Sequence, residues 1–238
     1  MSEQVRIDDP AHVQAQYVTE ENLETRRSVW HPTADGRDPT TEALDAIVAD
    51  NPLRVLEVGP GTGMFAVRLA AALPDASVTT IDQSSRFVEM TRARGVDSRV
   101  GDAQDLPYAD ESFDAVAALW MLYHVPHIER AIAEVRRVLR PGGLFVAVTN
   151  GDGHVAALRR EAGGQPVVTR FSSQNGEEQL LRHFGTVERT DLVPQAVFLD
   201  RESALAYLRS SDEPVEWRLE TFTEPRAYDG EATIFRCR

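Results

Sequence analysis

The sequence predicts an α/β fold of the doubly wound type, a mainly parallel sheet with helices on both faces. Three observations predict it. From residue 53 onward, short apolar runs alternate with stretches of helical periodicity, the pattern of successive βαβ units. One run, Phe113-Asp-Ala-Val-Ala-Ala-Leu119, is almost wholly apolar, as a strand covered on both faces must be. The run Val55-Leu-Glu-Val58 opens directly into the glycine-dense turn Gly59-Pro-Gly-Thr-Gly63, with a helical pattern behind it.

Each element has a local reason. After Gly63, Phe65, Leu69 and Leu73 share one helix face, and Pro74 closes the helix. Val78–Ile81 is the second strand. Ser84 or Ser85 caps a helix carrying Phe87, Met90 and Thr91, which Gly95 stops. A short third strand is expected near Ser98–Val100, and Phe113–Leu119 is the fourth. From about Ile128 to Leu139, the residues Ile128, Ala131, Ile132, Val135, Val138 and Leu139 form an apolar stripe. Arg140-Pro-Gly-Gly143 ends that helix, and Leu144–Val148 is the fifth strand. Beyond it the pattern gives a helix with Leu180, Leu181 and Phe184, a strand near Thr186–Val193, a helix with Ala204, Leu205 and Leu208, and a last strand, Ala232–Arg236.

Residues 1–50 sit outside this alternation. Helical stretches are expected around Val13–Asn22, Leu23–Trp30 and Thr41–Ala49, with a turn-rich segment, Trp30–Pro39, between the last two. This region reads as a helical lid over the open edge of the site. Residues 51–238 form the main domain, with a substrate-facing insertion around 151–180.

The 238 residues suffice for a full core. No apolar stretch is long enough to span a bilayer, and the amino terminus is too polar for a signal peptide. One cysteine, Cys237, can form no internal disulfide, so a cytoplasmic protein is expected. The net charge of −13 opposes phosphate backbones, which argues against nucleic acid as a partner. The basic pairs are Arg26-Arg27, Arg136-Arg137 and Arg159-Arg160, and two of the three read as solvated helix faces. All 25 basic residues are arginine, which fits the codon bias of a GC-rich bacterial genome.

The glycine turn excludes some nucleotide ligands. A dinucleotide fingerprint would continue Gly59-x-Gly61 to a third glycine at 64, where Met64 stands, and no Lys-Ser/Thr pair follows for a triphosphate. Asp82 ends the next strand, where a carboxylate can accept ribose hydroxyls. Four blocks lie in order: Glu57-Val-Gly-Pro-Gly-Thr-Gly63, Asp82-Gln83, Gly101-Asp-Ala-Gln-Asp-Leu-Pro107 and Val138-Leu-Arg-Pro-Gly-Gly143. From Leu53 to Asn150 they resemble the class I S-adenosylmethionine (SAM)-dependent methyltransferases of the small-molecule, type 11-like kind. The resemblance implies a Rossmann-like, seven-stranded sheet whose last strand is antiparallel. It also implies that SAM is the cofactor and S-adenosylhomocysteine the product. Carried over residue by residue, Glu57, Gly59, Gly61 and Gly63 belong to the loop around the methionine part, and Asp82 takes the ribose hydroxyls. Gln83 lies beside the adenine, Asp102 accepts from the adenine amine, Ala103 offers its backbone amide, and Leu119 adjoins the cofactor.

In such enzymes the segment after the fourth strand, Leu119–Pro126, faces the transferred methyl. His124 is therefore the first candidate general base, with His154 second. A metal is not expected. Leu119 and Trp120 stand where metal-dependent relatives carry a carboxylate, and Asp152 with His154 supplies too few ligands. Tyr17 is the expected partner of the SAM carboxylate, with Arg26 and Arg27 left open. The expected acceptor is a small molecule methylated on O or N. The alternatives are C-methylation of a quinone or polyketide-like acceptor and a non-catalytic SAM-binding protein, and the oligomer is a monomer or homodimer.

Overall fold

The computed structural model describes residues 21–211 and 213–238. Its elements run α1 (Glu21–Ser28), β1 (Trp30–His31), α2 (Pro39–Ala49), β2 (Arg54–Val58), α3 (Met64–Ala72), β3 (Ser77–Asp82), α4 (Ser85–Ala93), β4 (Asp97–Val100) and β5 (Phe113–Leu119). Then follow α5 (Ile128–Val138), β6 (Leu139–Asn150), α6 (Ala156–Glu161), α7 (Gly176–Leu181), β7 (Val187–Leu192), β8 (Gln195–Phe198), α8 (Arg201–Arg209), β9 (Arg226–Asp229) and β10 (Ala232–Cys237).

The main sheet has seven strands in the order β4-β3-β2-β5-β6-β10-β7. Pairings among β4, β3, β2, β5 and β6 are parallel, while β10 runs antiparallel to both β6 and β7. Strand order reverses beside β2, and in open α/β sheets the crevice at such a switch point takes the ligand. Two apolar layers flank the sheet. One contains Leu56, Ile132, Phe145 and Phe235, and the other Ile47, Phe65, Leu69 and Val146. Both owe their residues to the expected periodicities of α5 and α3.

Two expectations are corrected. The helix expected over Leu23–Trp30 stops at Ser28, because Trp30 and His31 extend and pair with Ala196 and Gln195 of β8. With β9 they form a three-stranded antiparallel sheet, absent from the sequence reading, that roofs one end of the main sheet. Its core includes Leu158, Phe198, Leu205, Trp217 and Tyr228. Arg140-Pro-Gly-Gly143 is not a break before the fifth strand but a bulge within it. Leu139 pairs with Phe113, and after a register shift Leu144 pairs with Ala115.

Candidate functional site

A cavity of about 850 Å³ opens at the carboxyl ends of β2, β3 and β5, within the roughly 300–1,000 Å³ typical of small-molecule sites. The glycine loop forms its floor. Gly59 and Gly61 both have positive φ, at 70° and 54°. A Cβ on Gly59 would lie 2.9 Å from the Met121 Cβ, so the loop has no room for a side chain there. Gly63 (φ 78°) caps α3 and lies off the cavity wall. Its bare edge packs on Thr91, whose Oγ1 would be 2.6 Å from a Cβ.

Asp82 ends β3 at the rim of the loop. Its carboxylate accepts from the Ser84 N–H at 2.9 Å and, over 3.4 Å, from the Gly61 N–H. Burial pushes its pKa up to about 6, against those two hydrogen bonds. Glu57 is buried one layer below. Desolvation raises its pKa to about 8, with the Arg27 charge opposing and Asp82 reinforcing the rise. Its Oε2 is fully buried and has no hydrogen-bond partner among the described residues, although Glu57 lines the cavity. An orphaned carboxylate oxygen of this kind calls for a donor from a ligand.

Gln83, Asp102, Ala103 and Leu119 also line the cavity. The Asp102 carboxylate accepts from the Gln104 backbone N–H and side-chain amide at 2.8 and 3.0 Å. That loop is braced from α5: Glu134 accepts from the Leu106 N–H at 2.8 Å, and Arg137 donates to the Leu106 and Tyr108 carbonyls. Arg137 is thus a strut. Trp120 takes a left-handed conformation (φ 53°) directly after β5 and donates through Nε1 to the Asn150 Oδ1 at 2.9 Å. Non-glycine strain of this sort collects at ligand sites.

His124 lies in a single 3-10 turn, Leu122–His124, edge-on to Tyr123 with 4.5 Å between ring centroids, and both line the cavity. His154 lies on the far wall. Burial drives its pKa down to about 4. Gly151 and Gly153 precede it because Glu231 fills the space their side chains would take, and the Gly153 N–H donates to Glu231 Oε2 at 2.9 Å. Among the described residues no group of three or more His, Cys, Asp or Glu is placed to hold a metal ion. Tyr17 lies outside the described residues.

Two arginines left open or unassigned by the sequence reading are placed by the structure. Arg27 Nη1 donates to Thr62 Oγ1 at 2.9 Å, which sets its guanidinium against the glycine loop. Arg159 is buried. It donates to the Gln165 carbonyl, pairs with Glu213 and lies over the Trp217 ring. The Arg-Arg pairs were visible in sequence, but the inward turn of Arg159 depends on Glu213 and Trp217, more than 50 residues along the chain.

Comparison with known proteins fits this geometry. Residues 56–147 match the family model of a methyltransferase domain. This region of the chain has the sequence pattern of a methyltransferase domain. Its family and fold use S-adenosylmethionine as cofactor. A malonyl-[acyl-carrier protein] O-methyltransferase of Methylococcus capsulatus is 39% identical over 56% of this chain and 52% of its own. A phthiotriol/phenolphthiotriol dimycocerosates methyltransferase of Mycobacterium ulcerans is 33% identical over 72% of this chain and 63% of its own. The chain therefore spans less than two thirds of either relative. A solved SAM-dependent methyltransferase from Thermotoga maritima superposes with a TM-score of 0.58 at 20% identity, covering 95% of this chain and 98% of that one, and shares the fold.

Proposed function

We propose that the chain transfers a methyl group from SAM to an O or N atom of a small-molecule acceptor. The observation that carries this reading is the pairing of Asp82 at the rim of the glycine loop with the Glu57 Oε2, which has no partner among the described residues. Asp82 would accept the ribose hydroxyls, Gly59 and Gly61 would let the backbone approach the methionine part, and Asp102 with Ala103 would hold the adenine. The Glu57 oxygen suits the ammonium of the same group, and Arg27, beside Thr62, suits its carboxylate.

Bound SAM would supply a sulfonium-activated methyl group. The chain's own part is then alignment and exclusion of water. Met121 and the strained Trp120 form the wall next to the loop. His124, within the same wall, is positioned to take a proton from an acceptor hydroxyl or ammonium. Within the lid expected over residues 1–50, α1 borders the cavity and serves as the lid, whereas α2 packs on the main sheet through Ala43 and Ile47. The roof sheet extends the expected insertion beyond 151–180. A cytoplasmic enzyme accords with the single, buried Cys237.

The test is transfer of labelled methyl from SAM to a pooled library of small hydroxy and amino compounds. Label on an acceptor, lost in Asp82→Ala, supports the reading. SAM binding without label transfer to any pool would favour the non-catalytic alternative.

A further inference from the structure

The cofactor reading leaves half of the cavity unused. On that side Trp30, His154 and Tyr207 line an aromatic wall. The Trp30 ring lies 4.6 Å from His154 and 6.2 Å from Tyr207, tilted to the first and edge-on to the second. His154 Nδ1 meets the Glu231 backbone at 3.0 Å, so Nε2 is the ring nitrogen without a partner among the described residues. Enclosure pushes the Tyr207 pKa up to about 12, as it pushes that of His154 down.

Two arginines bear on this wall. The charges acting on His154 and Tyr207 come from Arg26 and Arg159. Arg159 is matched by Glu213 at 2.5 Å. Arg26 is not. It donates through Nε to Ser210 Oγ at 3.0 Å and through Nη2 to the Ser210 carbonyl at 2.5 Å, both neutral oxygens. In a protein of net charge −13, a part-buried arginine facing aromatic rings without a counter-ion among the described residues is a local exception. Such a cation favours an anionic partner that replaces lost hydration.

We propose that this half of the cavity is the acceptor subsite and that it takes a planar acceptor bearing a carboxylate, the ring against Trp30 and the carboxylate on Arg26. The word acceptor rests on the methyl-transfer reading. The preference for a planar anion does not.

The test is calorimetric titration of the full chain with 4-hydroxybenzoate and with its neutral isostere 4-hydroxybenzamide, each with and without saturating S-adenosylhomocysteine. The acid is expected to bind at least tenfold more tightly than the amide. Arg26→Gln should abolish the difference while leaving amide binding within about twofold, and Arg26→Lys should restore part of it. Equal affinities, no binding of either compound, or a preference that survives Arg26→Gln would overturn the proposal. Acid preference in a protein that does not bind S-adenosylhomocysteine would keep the subsite and remove the methyl-transfer reading. Cofactor binding without acid preference would do the reverse.

Discussion

Arg26 and Arg27 are neighbours in sequence whose guanidinium groups serve opposite halves of one cavity. Arg27 donates to Thr62 on the glycine loop, and Arg26 to Ser210 behind the aromatic wall. Successive helix residues diverge by about 100°, so α1, lying across the cavity, can address both sides. Arg27→Ala is expected to weaken SAM binding by about 5–30-fold, the loss of one charge-assisted hydrogen bond. Calorimetry with SAM checks this. The same variant should raise the Glu57 pKa further, since the Arg27 charge holds it down.

Glu57, with its pKa near 8, is mostly protonated at pH 7. A bound ammonium would favour the carboxylate, so SAM binding at pH 7 should release close to one proton. Titrations in buffers of different ionisation enthalpy measure that number, and Glu57→Gln should bring it to zero. The stability consequence has a definite sign. The folded state binds this proton more tightly than the unfolded chain, so Glu57 costs stability as pH rises from about 4.5 to 8, on the order of a few kcal/mol. Glu57→Gln should raise the Tm of the ligand-free protein at pH 8 and leave it unchanged at pH 4.

His154 works in the opposite sense. Its folded pKa of about 4 lies below the ordinary 6.5, so the unfolded chain binds the proton first. Its contribution is intact above pH 6.5 and is lost as pH falls toward 4, by roughly 2–3 kcal/mol. Denaturant melts of His154→Gln against the parent should show a smaller loss in that window for the variant. An activity profile should carry no ionisation from His154 above pH 5, and one that disappears in His154→Gln would contradict its enclosure.

Gly59 and Gly63 look alike in the sequence and should fail differently. Gly59→Ala forces a Cβ into Met121 on the cavity wall, whereas Gly63→Ala forces one into Thr91 behind it. Both substitutions sit at positive φ and should cost about 1–3 kcal/mol of stability. The difference is expected in binding. Gly59→Ala should lose SAM affinity beyond any stability effect, and Gly63→Ala should bind nearly normally once folded. Paired melts and titrations separate the two.

How much was legible follows from where the signals lie. The seven strands of the main sheet and the α5 stripe are written in local periodicity, and the structure has them close to the expected residues. The loop carrying Gly59 and Gly61, the acid at Asp82 and the Asp102-Ala103 turn were readable because each follows its own strand. The roof sheet was not. Trp30-His31 is two residues long, and its partners in β8 lie more than 160 residues away, so no local alternation announces it. The tilted contact of Trp30 with His154 depends on that sheet and was hidden with it, and the burial of Arg159 depends on Glu213 and Trp217, more than 50 residues away. The left-handed Trp120 carries no sequence signal either, since glycine or asparagine is the usual mark of such a position.

The cavity's assignment is tested most directly by calorimetric titration of S-adenosylhomocysteine into the parent protein and into Asp82→Ala. Micromolar binding, about −8 kcal/mol, weakened at least thirtyfold in a variant with an unchanged Tm, is the predicted result. A parent protein that binds no S-adenosylhomocysteine, or a variant that binds it equally well, would contradict the role given to Asp82 and the loop beside it.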